Sequence, residues 1–159
     1  MNAPKEIQVQ VAGVGKDVKY HDCVILKDSQ NRCLPIWIGP CEAFAIRIAL
    51  EKAQVARPMT HDLMRNLIEK LKAELEKITI DDLWDGVYYA NLNLLVDHQT
   101  ITVDARPSDA IALAVRANCD IFVRDSVMEQ GMFKEEDLRD ILTGEDPETM
   151  EDEEDIEEE

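Results

Sequence analysis

No phosphate loop of the form G-x-x-x-x-G-K-[ST], no G-x-G-x-x-G, no H-E-x-x-H and no G-x-S-x-G occurs in this sequence of 159 residues. Nucleoside-triphosphate, dinucleotide and the common hydrolase mechanisms lose ground accordingly. Apolar runs of about 20 residues, the length a membrane helix needs, are also missing. The opening MNAPKEIQVQ lacks the basic-then-apolar pattern of a signal peptide, so a cytoplasmic protein without a membrane partner is expected. The four cysteines, Cys23, Cys33, Cys41 and Cys119, make no C-x-x-C pair and have no zinc-ligand spacing. Reduced, buried thiols are expected. Aromatic residues make up only 5% of the chain, which leaves few platforms on which nucleobases could stack.

Positive charge is scarce too, with 17 Lys and Arg against 34 Asp and Glu and a formal charge of −17. Residues 145–159, EDPETMEDEEDIEEE, hold eleven of those acids and no base, which leaves −6 for the rest. Such a run repels itself and buries no apolar surface, so a disordered acidic tail is expected after a domain at 1–144. The tail could be a solubility device, or a polyanion mimic that occupies a basic groove or engages a protein partner. The chain as a whole is 45% apolar, the composition of one domain with a real core.

Alternation of apolar and polar residues from Ile7 to Val11 has the period of a strand. Val24–Leu26 and Leu34–Ile38 flank the turn-rich Asp28-Ser29-Gln30-Asn31 and read as two more. Gly39-Pro40 then opens a helix over CEAFAIRIALEKA, proline suiting a first helical position because it has no N–H to leave unpaired. A second helix is predicted from Thr60, its N-cap, to about Lys72. Strands follow at Glu76–Ile80, Val87–Val96 and Thr100–Ala105, with a turn at Asp85-Gly86. A helix over Pro107–Ala117, a short strand at Ile121–Val123 and a helix over Lys134–Leu142 complete the pattern.

The chain resembles itself. Set IGPCEAFAIRIAL under ARPSDAIALAVRA, and Pro40 meets Pro107, Glu42 meets Asp109, and Ala43 and Ala45 meet Ala110 and Ala112. Both stretches follow a strand-turn-strand unit. The fold class expected is therefore α+β: a mixed β-sheet domain built from two strand-turn-strand-helix half-repeats with an extra helix between them.

The repeat also sorts the polar residues. Glu42 and Asp109 occur in both copies, at third helical positions where a carboxylate bonds free first-turn N–H groups. Asp104 and Arg106 fall opposite Trp37 and Gly39, so the shared fold does not ask for them. Strand alternation puts both on one face, as a seat for an anion or as a plain ion pair. Arg57-Pro58-Met59-Thr60-His61-Asp62 repeats the theme, with His61 beside an acid at a helix start. His21 and His98 carry no comparable signal.

LPIWIGPCEAFAIRIALE, RPMTHDLMRNLIEKL and ITVDARPSDAIALAVRANCDIFV, in that order, resemble the bifunctional nuclease domain family over about residues 7–130. The resemblance implies a compact mixed α and β domain and cleavage of both RNA and DNA, an activity described for plant members. Bacterial members like this chain are mostly small proteins. The family pattern falls on Gly39, Pro40 and Glu42, on Arg57, Pro58, Thr60, His61 and Asp62, and on Asp104, Arg106, Pro107, Ser108 and Asp109. Cys41, Arg47 and the acidic tail depart from it.

The expected function is thus hydrolysis of RNA or DNA phosphodiester bonds, assisted by a divalent metal. Asp104, Asp109 and Glu42 would hold Mg²⁺ or Mn²⁺, with Asp104 also in the catalytic set; Arg106 and Arg57 would clamp phosphate, with Thr60 and Ser108 on the substrate; His61 would move protons, oriented by Asp62. A homodimer is expected. The competing class is a non-catalytic anion-binding or protein-interaction module, or a structural dimer, that uses the same polar cluster. Few aromatics and no basic stripe favour it.

Overall fold

In the computed structural model, which describes residues 3–143, two antiparallel three-stranded meanders each run into a helix whose first residue is proline. The first comprises β1 (Glu6–Asp17), β2 (Asp22–Asp28) and β3 (Arg32–Trp37), followed by α1 (Pro40–Leu50). The second comprises β4 (Glu74–Trp84), β5 (Val87–Val96) and β6 (Gln99–Ala105), followed by α3 (Pro107–Ala117). Between them lies α2 (Thr60–Lys70). The chain ends with β7 (Asp120–Arg124), α4 (Asp125–Gly131), β8 (Phe133–Lys134), α5 (Glu135–Ile141) and β9 (Leu142–Thr143). The expected α+β class holds. Residues 145–159, the expected acidic tail, and the boundary drawn at 144 lie outside the described residues.

One nine-stranded sheet collects all of this, in the order β6-β5-β4-β7-β1-β2-β3-β8, with β9 beside β1. Among the described residues, only β4 and β7 pair in parallel. β7 is therefore the seam between the meanders, and the two helix-bearing units hang from it on either side. Local sequence supports each turn: Asp85 and Gly86 both take positive φ, the requirement of a two-residue hairpin, and Asp97-His98 repeats that geometry between β5 and β6.

Alternation sends Val24, Leu26, Leu34 and Ile36 of one meander, and Ile78, Ile80, Ala90 and Leu92 of the other, to the same core. α3 closes it. Ala110, Ile111, Ala112, Leu113 and Ala114 are all buried, and the alanines let α1 and α2 pack closely on either side. α4 adds Val127 and Met128 to this core and touches β3 and β4, one strand from each meander. On the reverse face of β2 and β3, Cys23 and Cys33 are buried, and α5 packs against β3 with its Leu138 buried and its Glu135 bonded to Lys27. Burial pushes the Cys23 and Cys119 thiols up to about 11, so they stay protonated and inert. Cys41 departs from the expectation of buried thiols, because it sits exposed on the outer side of the first turn of α1.

A Cβ on Gly131, at the end of α4, would lie 2.3 Å from the Tyr88 hydroxyl and 2.7 Å from Leu34 Cδ1. Leu34 is fully buried, so the added methyl must displace a packed side chain. Gly131→Ala should lower stability by about 1–3 kcal/mol, the usual cost of overpacking, read as a lower urea midpoint at unchanged slope. Among the described residues, no helix is long and apolar enough to cross a membrane.

Candidate functional site

Three helix starts meet at one end of the core. α1 contributes Glu42, α2 contributes His61, and α3 contributes Asp109 together with its N-cap residue Arg106. The guanidinium of Arg106 joins two of these helices. Its Nη1 donates to Glu42 Oε1 at 2.9 Å, while Nε and Nη2 donate to Asp109 Oδ2 and Oδ1 at 2.8 and 3.2 Å. His61 completes the chain, with Nε2 2.9 Å from Asp109 Oδ1. His61 is only 8% exposed, whereas the Arg106 side chain is 64% exposed. The cluster is thus anchored at its histidine end and open to solvent at its arginine end.

Asp109 governs the electrostatics. Partial burial acts to raise its carboxyl, but the hydrogen bonds from Arg106 and His61 outweigh that and hold it below the usual carboxylate range. Its partners in turn push the Arg106 guanidinium further toward the charged form, Asp109 first and Glu42 second. An ionised carboxylate only accepts hydrogen bonds, so the His61 nitrogen that faces it, Nε2, carries the hydrogen. A carboxylate at the third position of a helix ordinarily serves that helix's own N–H groups. Glu42 instead faces Arg106 across helices, and Asp109 faces Arg106 at the start of its own helix and His61 across to α2.

Asp62 follows the ordinary pattern. Its Oδ2 accepts the Met59 N–H at 2.9 Å, which makes Met59 rather than Thr60 the cap residue of α2. Its Oδ1 accepts from Arg116 Nε at 2.8 Å, and Arg116 Nη1 donates to Ala112 O within α3. Burial works to raise Asp62, and the Met59 N–H and Arg116 overcome it, leaving this carboxyl low as well. Asp62 therefore ties α2 to α3, and Asp109 is the residue that orients His61. Because the Arg116 side chain is 95% buried (5% exposed), Arg116→Met should cost about 2–3 kcal/mol by stranding Asp62, as urea unfolding would show.

Asp104 stands apart. It pairs with Asn91 across β5–β6, while its neighbours Val103 and Ala105 pair with the core residues Leu92 and Ala90. Alternation therefore turns Asp104 to the face away from the helices. Arg106 does not share that face, because β6 ends at Ala105 and the strand rule ends with it. Arg57 and Thr60 are exposed at the approach to α2, and neither forms a side-chain hydrogen bond or ion pair with the cluster among the described residues.

A divalent ion does not fit the proposed ligand set as it stands. Asp104 is on the other face of the sheet, and the Arg106 guanidinium takes the oxygens of Glu42 and Asp109 that an ion would need. Among the described residues, no group of three or more His, Cys, Asp or Glu side chains is placed to hold a metal.

Beside the cluster runs a groove of about 680 Å³, a size that suits a small ligand. Glu42, Arg106 and Ser108 line one side of it, and His21, Trp37 and Tyr88 line more of its wall. Ser108 was legible in the sequence. Trp37 and His21 were not singled out: both converge on Asp17, and Trp37 reaches it from 20 residues away. The indole Nε1 of Trp37 donates to Asp17 Oδ2 at 3.1 Å, and His21 Nδ1 lies 3.2 Å from the same oxygen. The backbone N–H of His21 leads the contacts, joined by that of Lys19, that bring the Asp17 carboxyl down to about 2.

The sequence model of the bifunctional nuclease domain matches residues 24–136, which include the whole cluster. An uncharacterized protein of Mycobacterium tuberculosis strain H37Rv is 39% identical over 125 residues, 77% of this chain and 74% of its own length. Bifunctional nuclease 2 of Oryza sativa subsp. japonica is 31% identical over 105 residues, 64% of this chain and 32% of that protein. Bifunctional nuclease 2 of Arabidopsis thaliana is 28% identical over 108 residues, 65% of this chain and 33% of that protein. The match to the plant proteins thus spans about a third of their length, and the match to the family runs from β2 to α5. With that span and the identity to the mycobacterial protein, the chain belongs to the bifunctional nuclease domain family.

Proposed function

We propose that the chain hydrolyses phosphodiester bonds of nucleic acid in the groove beside Arg106. The observation that carries this reading is a solvent-exposed guanidinium at the groove, held between carboxylates of two helices whose N-terminal ends lie against it. Helix N-termini favour anions, and a planar guanidinium matches two phosphate oxygens at once. Arg106 leaves its carboxylates for a phosphate, and its charge offsets the charge that grows on the phosphoryl oxygens as water attacks. Glu42, which lines the groove and is then unpaired, accepts the water proton as the P–O ester bond breaks, and solvent supplies the proton that the leaving sugar oxygen takes up. Ser108 offers a hydroxyl to the phosphate. Asp109 and His61 are positioning residues that return Arg106 to its place, and no step runs through a metal.

The plant relatives are named bifunctional nucleases, and the match to that family over residues 24–136 contains the cluster; both support this reading. Purified protein should shorten end-labelled single-stranded RNA and DNA oligonucleotides, more slowly as salt rises because phosphate binding weakens. Absence of cleavage with and without Mg²⁺ or Mn²⁺ would sink the proposal. A second reading is favoured by the full occupancy of Arg106 by carboxylates: the cluster clamps helices and does no chemistry. In that case Arg106 matters for stability and not for turnover.

Gly39 offers a gentler probe. A Cβ there would lie 2.3 Å from Glu42 Oε2, the mobile end of a side chain. Gly39→Ala should displace that carboxylate at little cost in stability and lower kcat about 10-fold, checked by parallel kinetics and thermal melts.

A further inference from the structure

We propose that Trp37 is a stacking platform for an unpaired nucleobase, so that the groove takes single-stranded nucleic acid in preference to a duplex. This deepens the reading above and rests on it. Trp37 is the last residue of β3, and it is 44% exposed although a core lies immediately beside it. An exposed indole is ordinarily free to turn. This one is tied by its Nε1 to Asp17 Oδ2, and the same carboxylate is held through its other oxygen, Oδ1, by the backbone N–H groups of Lys19 and His21 in the β1–β2 turn. The tether sets the plane of the ring before any ligand arrives, which lowers the ordering cost of stacking.

Position gives the platform its partner chemistry. Trp37 and Arg106 line the same groove, so a base on the indole brings its own sugar-phosphate toward the guanidinium. Tyr88, which comes from the other meander, supplies a second aromatic surface. A base inside a duplex is covered on both faces by its neighbours, whereas an unpaired base has a free face to offer. The low aromatic content of the chain is no obstacle, because stacking needs one ring in the right place.

The sequence contains two tryptophans, Trp37 and Trp84, so Trp84→Phe leaves Trp37 as the reporter of its own site. The full-length Trp84→Phe protein is titrated with a phosphorothioate-linked single strand, with an abasic strand of equal length, and with the corresponding duplex. Quenching of Trp37 emission by the base-bearing strand, and affinity about 10- to 100-fold weaker for the abasic strand, are expected. Trp37→Ala should reduce the base-bearing strand to the affinity of the abasic one. Trp37→Phe, which keeps a ring but loses the bond to Asp17, should fall between.

Binding without a change in emission, or a Trp37→Ala variant that binds and cleaves the single strand as well as the parent, overturns the platform and leaves the nuclease reading standing. Equal affinity for strand and duplex overturns the preference. Failure of the parent protein to bind or cleave any of the three overturns both.

Discussion

Arg106→Ala should slow cleavage of a single-stranded oligonucleotide by about 100- to 1,000-fold, the usual consequence of removing one preorganised donor from a developing oxyanion, about 2.7–4 kcal/mol. Stability should change little. The Arg106 side chain is largely exposed, and ion pairs in such positions contribute about 0–1 kcal/mol. The contrast between the two numbers separates catalysis from clamping. A helix clamp would show the reverse, a lowered unfolding midpoint with turnover unaffected. Arg106→Lys is the sharper form of the same measurement. Lysine keeps the charge but not the planar fork that meets Glu42 and Asp109 together, so it should recover only a small part of the loss.

Asp109→Asn is expected to cost both rate and stability. The carboxylate accepts from Arg106 twice and from His61 once, and an amide presents its own donors to some of those partners. Loss of about 1–3 kcal/mol of stability and a fall of about 10- to 100-fold in kcat follow, measured by urea titration and by turnover. The pH dependence has a definite sign. Asp109 and Asp62 are held below their ordinary values in the folded chain, so in the unfolded chain they bind protons more readily. Their contribution is fully present above the unfolded carboxyl value of about 3.9 and is lost as pH falls through the lower folded values. The urea midpoint of the parent should therefore drop below about pH 4, and part of that drop should vanish in Asp109→Asn.

Much of the fold could be read from local pattern. The prolines at 40 and 107, the acids two residues later, and the Asp85-Gly86 hairpin each state a requirement met within a few residues. β1 runs on to Asp17, beyond the alternating stretch, because a register shift at Val11/Gly13 breaks the pattern without ending the pairing. α4 escaped, since it begins directly at the end of β7 with no turn residue between them to mark a new element. The candidate cluster was legible in its members and not in its wiring. Glu42, His61, Arg106 and Asp109 were all singled out, but the contacts that join them span 48 and 64 residues. Asp62 looked like the partner of His61 because it is adjacent in sequence, and adjacent residues on a helix do not face each other. Asp104 looked like the partner of Arg106 because strand alternation was carried one residue past the end of the strand.

The central claim is that residues from three helix starts act as one unit on a phosphodiester. Groups that work as a unit lose their function once, whichever member is removed. A cycle of Glu42→Gln, Arg106→Ala and the double variant, each assayed for single-turnover cleavage of one labelled oligonucleotide, measures this directly. The account predicts that the double variant is no slower than Arg106→Ala alone, within about 3-fold. Rate losses that multiply in the double variant, or an Arg106→Ala protein that cleaves at the parent rate, would contradict it.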